Sequence, residues 1–592
     1  MAFLIPNMKK FLIIIGLSAG LISCSKSGFL DNKSTALDEA QVFSDSSRTI
    51  QFLSRIYSDI GFSFNKGRWS SHGNTELATD DAEYSLSGPT QAAVALYNGT
   101  ISPTNLPSGL GDFWSTPYAN IRRCNLLLSK LSTTPLSAGM QARMRGESRF
   151  LRAWYYSQLM IAYGGVPNVE DKVFGIEDVV SIPRANFADL VSYLAKELDE
   201  AGESLPATNY DFADTRDFGR ATKGACMALK ARILLYAASP LFNGGSIATN
   251  PELAKLVSYP VASVSHWQAA ADAALAVINS GYYALWNPTS TIAGYGFYQT
   301  FLNGRPAGTG TMNRELIFGV MRPSGKDFEN YYNPGGGSFG GTHYSVPTQN
   351  LVDAFPMMNG KAITDPASGY QPNNPYEGRD PRFRFSIIYH QSRYAQNTAL
   401  TVINASVGSQ QGFSAGTVTG YFSRKMLDST FSSSSSTNID RPWPLIRYAE
   451  MLLNYAEAIN EAGQTAMAYP RLIELRSRAG ILPGADGLFG LKANMSQAEM
   501  RALIQNERRI ELAFEDHRFN DIRRWKIAMA VNNGYNRVVK ITGTAPNWVY
   551  TYSTTQEVQA SRLHVFRPEM HLLPIPDDEI RKNPAVVQNP GW

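Results

Sequence analysis

The alternation of apolar and polar positions divides this chain into helical stretches near each end of its body and an irregular middle. Residues 146–167, GESRFLRAWYYSQLMIAYGGVP, are apolar on nearly every face, which predicts a helix buried all round. Gly164, Gly165 and Pro167 then supply the stop. Residues 220–242 repeat the pattern with small residues that allow close helix packing, and Pro240 ends the run. Over 448–459 the stripe Tyr448, Leu452, Tyr455, Ile459 lies opposite Glu450, Asn454, Glu457 and Glu461, an amphipathic pattern of helical period. Further helices are predicted over 186–203, 266–280, 469–480 and 497–514.

Short connections between successive helices predict a mainly all-α fold made of tetratricopeptide-like hairpins, although the strict repeat signature is missing. From 286 to about 440 the chain is instead rich in Gly, Ser, Asn, Pro and Tyr, with residues 432–436 reading as a flexible serine loop. Long irregular stretches in a compact protein are often functional. The expected organisation is a single domain over 24–592. Its helical scaffold spans roughly 120–285 and 443–530, with loop-rich insertions at roughly 60–118 and 286–440.

The first residues read as a targeting segment rather than as part of the fold. Lys9 and Lys10 precede the apolar run 11–17, and Leu21-Ile22-Ser23-Cys24 has the form of a bacterial lipobox. Residues 1–23 are therefore expected to be a signal peptide starting naturally at Met8, with Cys24 as the lipid anchor. The apolar run is too short to span a bilayer, which takes about 20 residues. A composition of 44% hydrophobic and 18% charged residues suits a large globular core. Without Lys9 and Lys10 the balance is 52 basic to 50 acidic residues, so no basic stripe argues for nucleic acid. Cys124 and Cys226 fall in apolar helical patterns and are expected as buried free thiols, away from any zinc or redox spacing.

Five motifs then carry a family resemblance. The first is GESRFLRAWYYSQLMIAYGGVP at 146–167. PTQNLVDAFPMMNG at 347–360 follows, leading into GRDPRF at 378–383. WPLIRYAEMLLNYAEAINEAG at 443–463, ERRIELAFEDHRFNDIRRW at 507–525 and LLPIPDDEIRKNPAVVQNPGW at 572–592 complete the order. In sequence and order these resemble the SusD/RagB family of outer-membrane nutrient-uptake lipoproteins. The resemblance implies four tetratricopeptide-like helix pairs with a loop-rich ligand-binding half. It also implies a cell-surface protein that captures oligosaccharide or polysaccharide and delivers it to a SusC-like TonB-dependent transporter, tethered to the outer membrane by its lipid. The RagB branch implies the alternative, a peptide- or glycopeptide-binding lipoprotein in the same lid role.

Enzyme signals fail on context. Gly412-Phe413-Ser414-Ala415-Gly416 matches a nucleophile elbow in letters, but no apolar strand precedes it and no helix follows. The glycine run 335–341 lacks the Lys and Ser/Thr of a phosphate loop. No cofactor or metal is expected, and His517 and His571 read as structural. Glu507, Glu511 and Glu515 lie four apart beside Arg508 and Arg509. A carboxylate pair could serve glycoside hydrolysis, but that spacing among arginines predicts a salt-bridged surface instead.

Sugar recognition needs flat aromatic faces for the C–H side of a ring and planar polar groups for its hydroxyls. Loops that mix the two point to Trp69, Asp80, Asp81 and Tyr84, and in the middle of the chain to Trp286, Tyr295, Tyr298 and Tyr331. Trp69 with its two aspartates is the leading candidate. Trp114, which opens a helix, is expected to pack in the core.

Overall fold

The computed structural model describes residues 38–61, 75–85, 92–107, 109–175, 177–211, 215–302, 313–321, 325–334, 339, 341–396, 399–428 and 441–592. Cys24, Trp69, the serine loop and most of the glycine run lie outside the described residues.

Eight helices form the scaffold: α1 Asp112–Lys130, α2 Ala138–Tyr163, α3 Phe187–Gly202, α4 Lys223–Ala238, α5 Val264–Asn279, α6 Tyr448–Glu461, α7 Tyr469–Ala479 and α8 Gln497–Glu511. Successive helices from α1 to α7 pack on one another, α5 lying directly on α6 across the chain's long middle, and α8 packs on α6. Every predicted scaffold helix is present, with ends trimmed by local chemistry. Thr222 caps α4 by accepting from the Ala225 N–H, while Gly164 ends α2 at a φ of +80°.

The helices are buried on more faces than periodicity indicates. Residues 448–460 of α6 are buried throughout, so its Glu450, Asn454 and Glu457 face is not the solvent side of an amphipathic helix. Glu450 is held by Arg232 from α4, and Glu457 by Arg524. Asn454 accepts from Arg508 at 2.7 Å. A polar stripe is legible in sequence, but whether water or a neighbouring guanidinium meets it is settled by packing.

The middle of the chain is more ordered than its composition predicts. It contains short strands that no alternating pattern announces. β2, Leu316–Met321, pairs antiparallel with β8, Pro442–Arg447, so the excursion leaves and rejoins the scaffold at one place. β1, Ala82–Tyr84, pairs with β3, Ser345–Pro347, and β4, Ile387–Ile388, with β7, Phe422–Ser423. β5, Arg393–Gln396, and β6, Ala399–Val402, form a small hairpin, and β9, Arg537–Thr544, with β10, Asn547–Thr554, a longer one.

A buried charge lattice ties this excursion to the last helical pairs. Arg447 meets Glu315, Glu511 and Glu515, each at 2.7 Å. Arg478 reaches Glu511 at 2.6 Å and Glu315 at 2.7 Å. Arg382 meets Asp380 and Glu507 at 2.7 Å and Glu511 at 2.9 Å. The expected salt-bridged surface of Glu507, Glu511 and Glu515 is therefore an interior network. α8 also stops at Glu511, with Phe514 in the left-handed region, so Glu515 does not continue the helical stripe. Five segments supply partners, and multiple pairing offsets a desolvation cost that a single ion pair would not. All three carboxylates are buried.

Cys124 and Cys226 are buried free thiols, and burial pushes the Cys124 thiol up to about 12. Trp114 is buried in α1, edge-on to Tyr163 at 5.2 Å, as expected. Among the described residues no helix is long and apolar enough to cross a membrane.

Candidate functional site

The strands of the excursion act as a spine for two aromatic groups. β1 and β3 place Tyr84 opposite Ser345, and the Ser85 N–H donates to the Tyr344 carbonyl at 3.2 Å. The Tyr344 N–H in turn donates to the Tyr331 carbonyl at 3.0 Å. Backbone pairing thus sets three tyrosines in a row. Tyr84 and Tyr344 lie nearly parallel, 7° apart with centroids at 6.1 Å, and Tyr344 and Tyr331 are 6.0 Å apart. Tyr344 and Tyr331 are half-buried while Tyr84 is buried beneath them, where burial and Tyr344 raise its phenol. Rings fixed by main-chain bonds present an apolar face at small entropic cost.

The second group adjoins the first. The Ser423 hydroxyl on β7 donates to the Ser345 carbonyl on β3 at 2.9 Å, joining the two strand pairs. Beyond it, Tyr298 stacks on Phe385 at 4.9 Å and 15°, with Tyr295 6.3 Å from Tyr298. Both tyrosines come from the short helix Tyr295–Thr300, whose Gly296 backs onto the Trp286 carbonyl so closely that a Cβ would come within 2.4 Å of it. Trp286 is half-buried, and its backbone N–H is taken by Glu315 at 2.8 Å.

The structure thus brings Tyr84 and Tyr331 together, and Tyr295, Tyr298 and Trp286 together. It does not bring Asp80 and Asp81 to the surface. Arg518 grips Asp80 with two nitrogens at 2.9 Å, and Arg509 holds Asp80 at 2.8 Å and Asp81 at 2.6 Å. Burial alone would raise the Asp80 carboxyl, but these two guanidiniums hold it below its ordinary value. Burial, with Asp80 adding, raises Asp81. The Asp80 carbonyl accepts the Thr348 hydroxyl at 2.6 Å and the Asp81 carbonyl the Thr348 N–H at 3.0 Å. The aspartates are thus posts beneath the tyrosine row rather than hydroxyl ligands. The loop mixture that suggested them marks a buried ion-pair node.

Sequence reasoning missed Tyr344, Phe385 and the adjoining Arg384, Arg424 and Tyr389. Arg384 directly follows the GRDPRF motif, and Tyr344 lies three positions before Pro347 of PTQNLVDAF, so the signal lay at the motif edges. Among the described residues no group of three or more His, Cys, Asp or Glu side chains is arranged to hold a metal ion. The letters G-x-S-x-G fall in a loop of turns in which Ser414 has a φ of +68°, with no strand–helix elbow.

Comparison with known proteins follows this architecture. A model described as "SusD family" matches residues 314–592, and one described as "Starch-binding associating with outer membrane" matches residues 30–235. SusD-like protein P38 of Formosa agariphila is 24% identical over 463 residues, covering 76% of this chain and 79% of that protein. The crystal structure of a SusD-like protein from Bacteroides fragilis superposes with a TM-score of 0.73 at 25% identity, covering 94% of this chain and 99% of the other. A second Bacteroides fragilis structure, named a SusD-like carbohydrate binding protein, superposes with a TM-score of 0.70 at 22% identity, covering 92% and 99%.

Proposed function

Because the chain belongs to the SusD/RagB family, we propose that it captures oligosaccharide or polysaccharide at the outer membrane and hands it to a SusC-like TonB-dependent transporter. Cys24 would carry the lipid that tethers it there. The observation that carries the reading is the tyrosine row, in which backbone pairing holds half-buried Tyr344 and Tyr331 over buried Tyr84. Such a row suits consecutive sugar rings, whose C–H faces pack on aromatic planes while their hydroxyls stay hydrated. Half-buried Tyr295 and Trp286 extend the same surface, whereas Tyr298, expected as a contact, is buried against Phe385 beneath it; Trp69 remains a candidate contact. The description of one matching family as starch-binding and outer-membrane-associated, and the name of one structural neighbour as carbohydrate binding, support the ligand class. Binding without turnover is the corollary, since the carboxylates that could have served hydrolysis are tied to arginines in the interior.

The test is native affinity electrophoresis of the mature chain, without its lipid cysteine, through gels holding different polysaccharides. Retardation by one glycan class without release of reducing sugar is the expected result. Replacement of Tyr344 by Ala should then weaken binding by at least ~1 kcal/mol while leaving the melting temperature within a degree or two. Retardation by none, or release of reducing ends, would end the reading. Transporter delivery is tested separately, by co-purification of a TonB-dependent transporter with the full-length lipoprotein from native membranes.

A further inference from the structure

Arg384 and Arg424 stand side by side on the proposed glycan surface, half-buried and each bonded only to a backbone carbonyl. The β4–β7 pair fixes their backbones, with the Arg424 N–H donating to the Ser386 carbonyl at 2.9 Å. Arg424 donates from Nη1 to the Arg384 carbonyl at 2.7 Å, and Arg384 from Nη2 to the Ala293 carbonyl at 2.6 Å. Both guanidiniums flank one ring, Phe385, at 4.9 and 5.6 Å from its centroid, and Arg424 also lies 5.9 Å from Tyr298. Arg382, Arg447 and Arg478 each meet two or three carboxylates. Among the described residues, Arg384 and Arg424 meet none.

The Nε of each is buried and without an acceptor. Burial lowers the pKa of Arg384 from its ordinary value and the like charge of Arg424 lowers it further, with Tyr389 opposing. Arg379 and Glu377 also act on Tyr389, but Arg379 is spent on three backbone carbonyls and Glu377 is exposed. Two half-buried positive charges at close range repel one another, and an anion between them would offset that cost. Guanidinium forks match the planar oxygens of a carboxylate or the face of a sulfate.

We infer that Arg384 and Arg424 form a subsite for the oxyanion of an acidic sugar residue, a uronate carboxylate or a sulfate ester, with Tyr298 and Phe385 beside it. The inference rests on the glycan-binding reading above and narrows it to charged glycans.

The experiment is isothermal titration of the mature chain, wild type and Arg424→Gln, with an oligogalacturonate, a sulfated galactan oligosaccharide and an uncharged laminari-oligosaccharide. Tighter binding of at least one acidic ligand is expected, weakening steeply with added NaCl and falling about tenfold or more in the variant. Preference for the oligogalacturonate identifies the carboxylate, and preference for the sulfated ligand the sulfate ester. Binding of the uncharged ligand alone, or equal binding of acidic and uncharged ligands in both proteins, overturns the inference while leaving the glycan reading in place. Binding of none removes both. Should Arg424→Gln lose its native circular dichroism, competition on the wild type decides instead. Free glucuronate or inorganic sulfate should displace the acidic oligosaccharide where glucose does not, and equal displacement by glucose would overturn the inference.

Discussion

Glu511 sits among three guanidiniums. Burial by itself would raise its carboxyl, yet Arg478, Arg447 and Arg382 together hold it far below the usual carboxylate range. The histidines show the same contest decided the other way. His517 is pushed well below its ordinary value by burial and by Arg232 and Arg508, and burial alone takes His390 down to about 4. His266, His343 and His571 are lowered as well, burial again the first cause. All five therefore stay neutral in the fold at pH values where the unfolded chain takes up protons, below about 6.5. Stability from these groups is complete above that value and is lost as pH falls towards their folded values. Glu76, Asp81 and Glu474, each raised first by burial, act in the opposite sense but are three groups against five. The urea midpoint should thus fall between pH 6.5 and 4.5, and less so in His517→Gln. A midpoint that rises on acidification in this range would contradict the burial argument.

At the scale of elements, the turn after α2 shows how a motif acts through space rather than chemistry. A Cβ on Gly165 would stand 2.1 Å from the Ala185 carbonyl oxygen and 2.7 Å from that of Leu256. The Gly165 N–H donates to Leu256, and Arg184 reaches back to the Gly165 carbonyl at 2.7 Å. The motif is a three-way backbone crossing that admits no side chain. Gly165→Ala should lower stability by a few kcal/mol, roughly 2–4, seen as a drop in urea midpoint with the denaturant slope unchanged. An alanine variant as stable as the wild type would mean that the crossing can open at little cost. The short strands make the complementary point. β4 and β7 are two residues each, too brief for any period, and exist because the scaffold brings their backbones together.

For the whole molecule, the question is whether the long middle is a separate unit. Its termini pair as β2 and β8, and its Glu315, Arg382 and Lys425 share the charge lattice with α7, α8 and the residues after α8. Removing either half would leave several buried charges uncompensated, each a large penalty. One cooperative transition is therefore expected in scanning calorimetry of the mature chain, with enthalpy equal to its van't Hoff value. Two resolved transitions would show that the excursion folds on its own.

The sequence by itself determined the helical scaffold, the burial of Trp114 and both thiols, and the family. These rest on interactions local in the chain: period, caps, glycine and proline stops, and runs apolar enough to demand burial. Only the tertiary structure decided which polar residues meet water. Asp80 and Asp81 read as loop ligands and proved to be buried ion pairs, because Arg509 and Arg518, more than four hundred positions away, fold onto them. Tyr84 and Tyr331 came together only when Tyr344 was paired between them, and Arg384 and Arg424 are neighbours only because β4 pairs with β7. A side chain's partner from a distant segment is invisible to periodicity. The proposed site is made almost wholly of such partners.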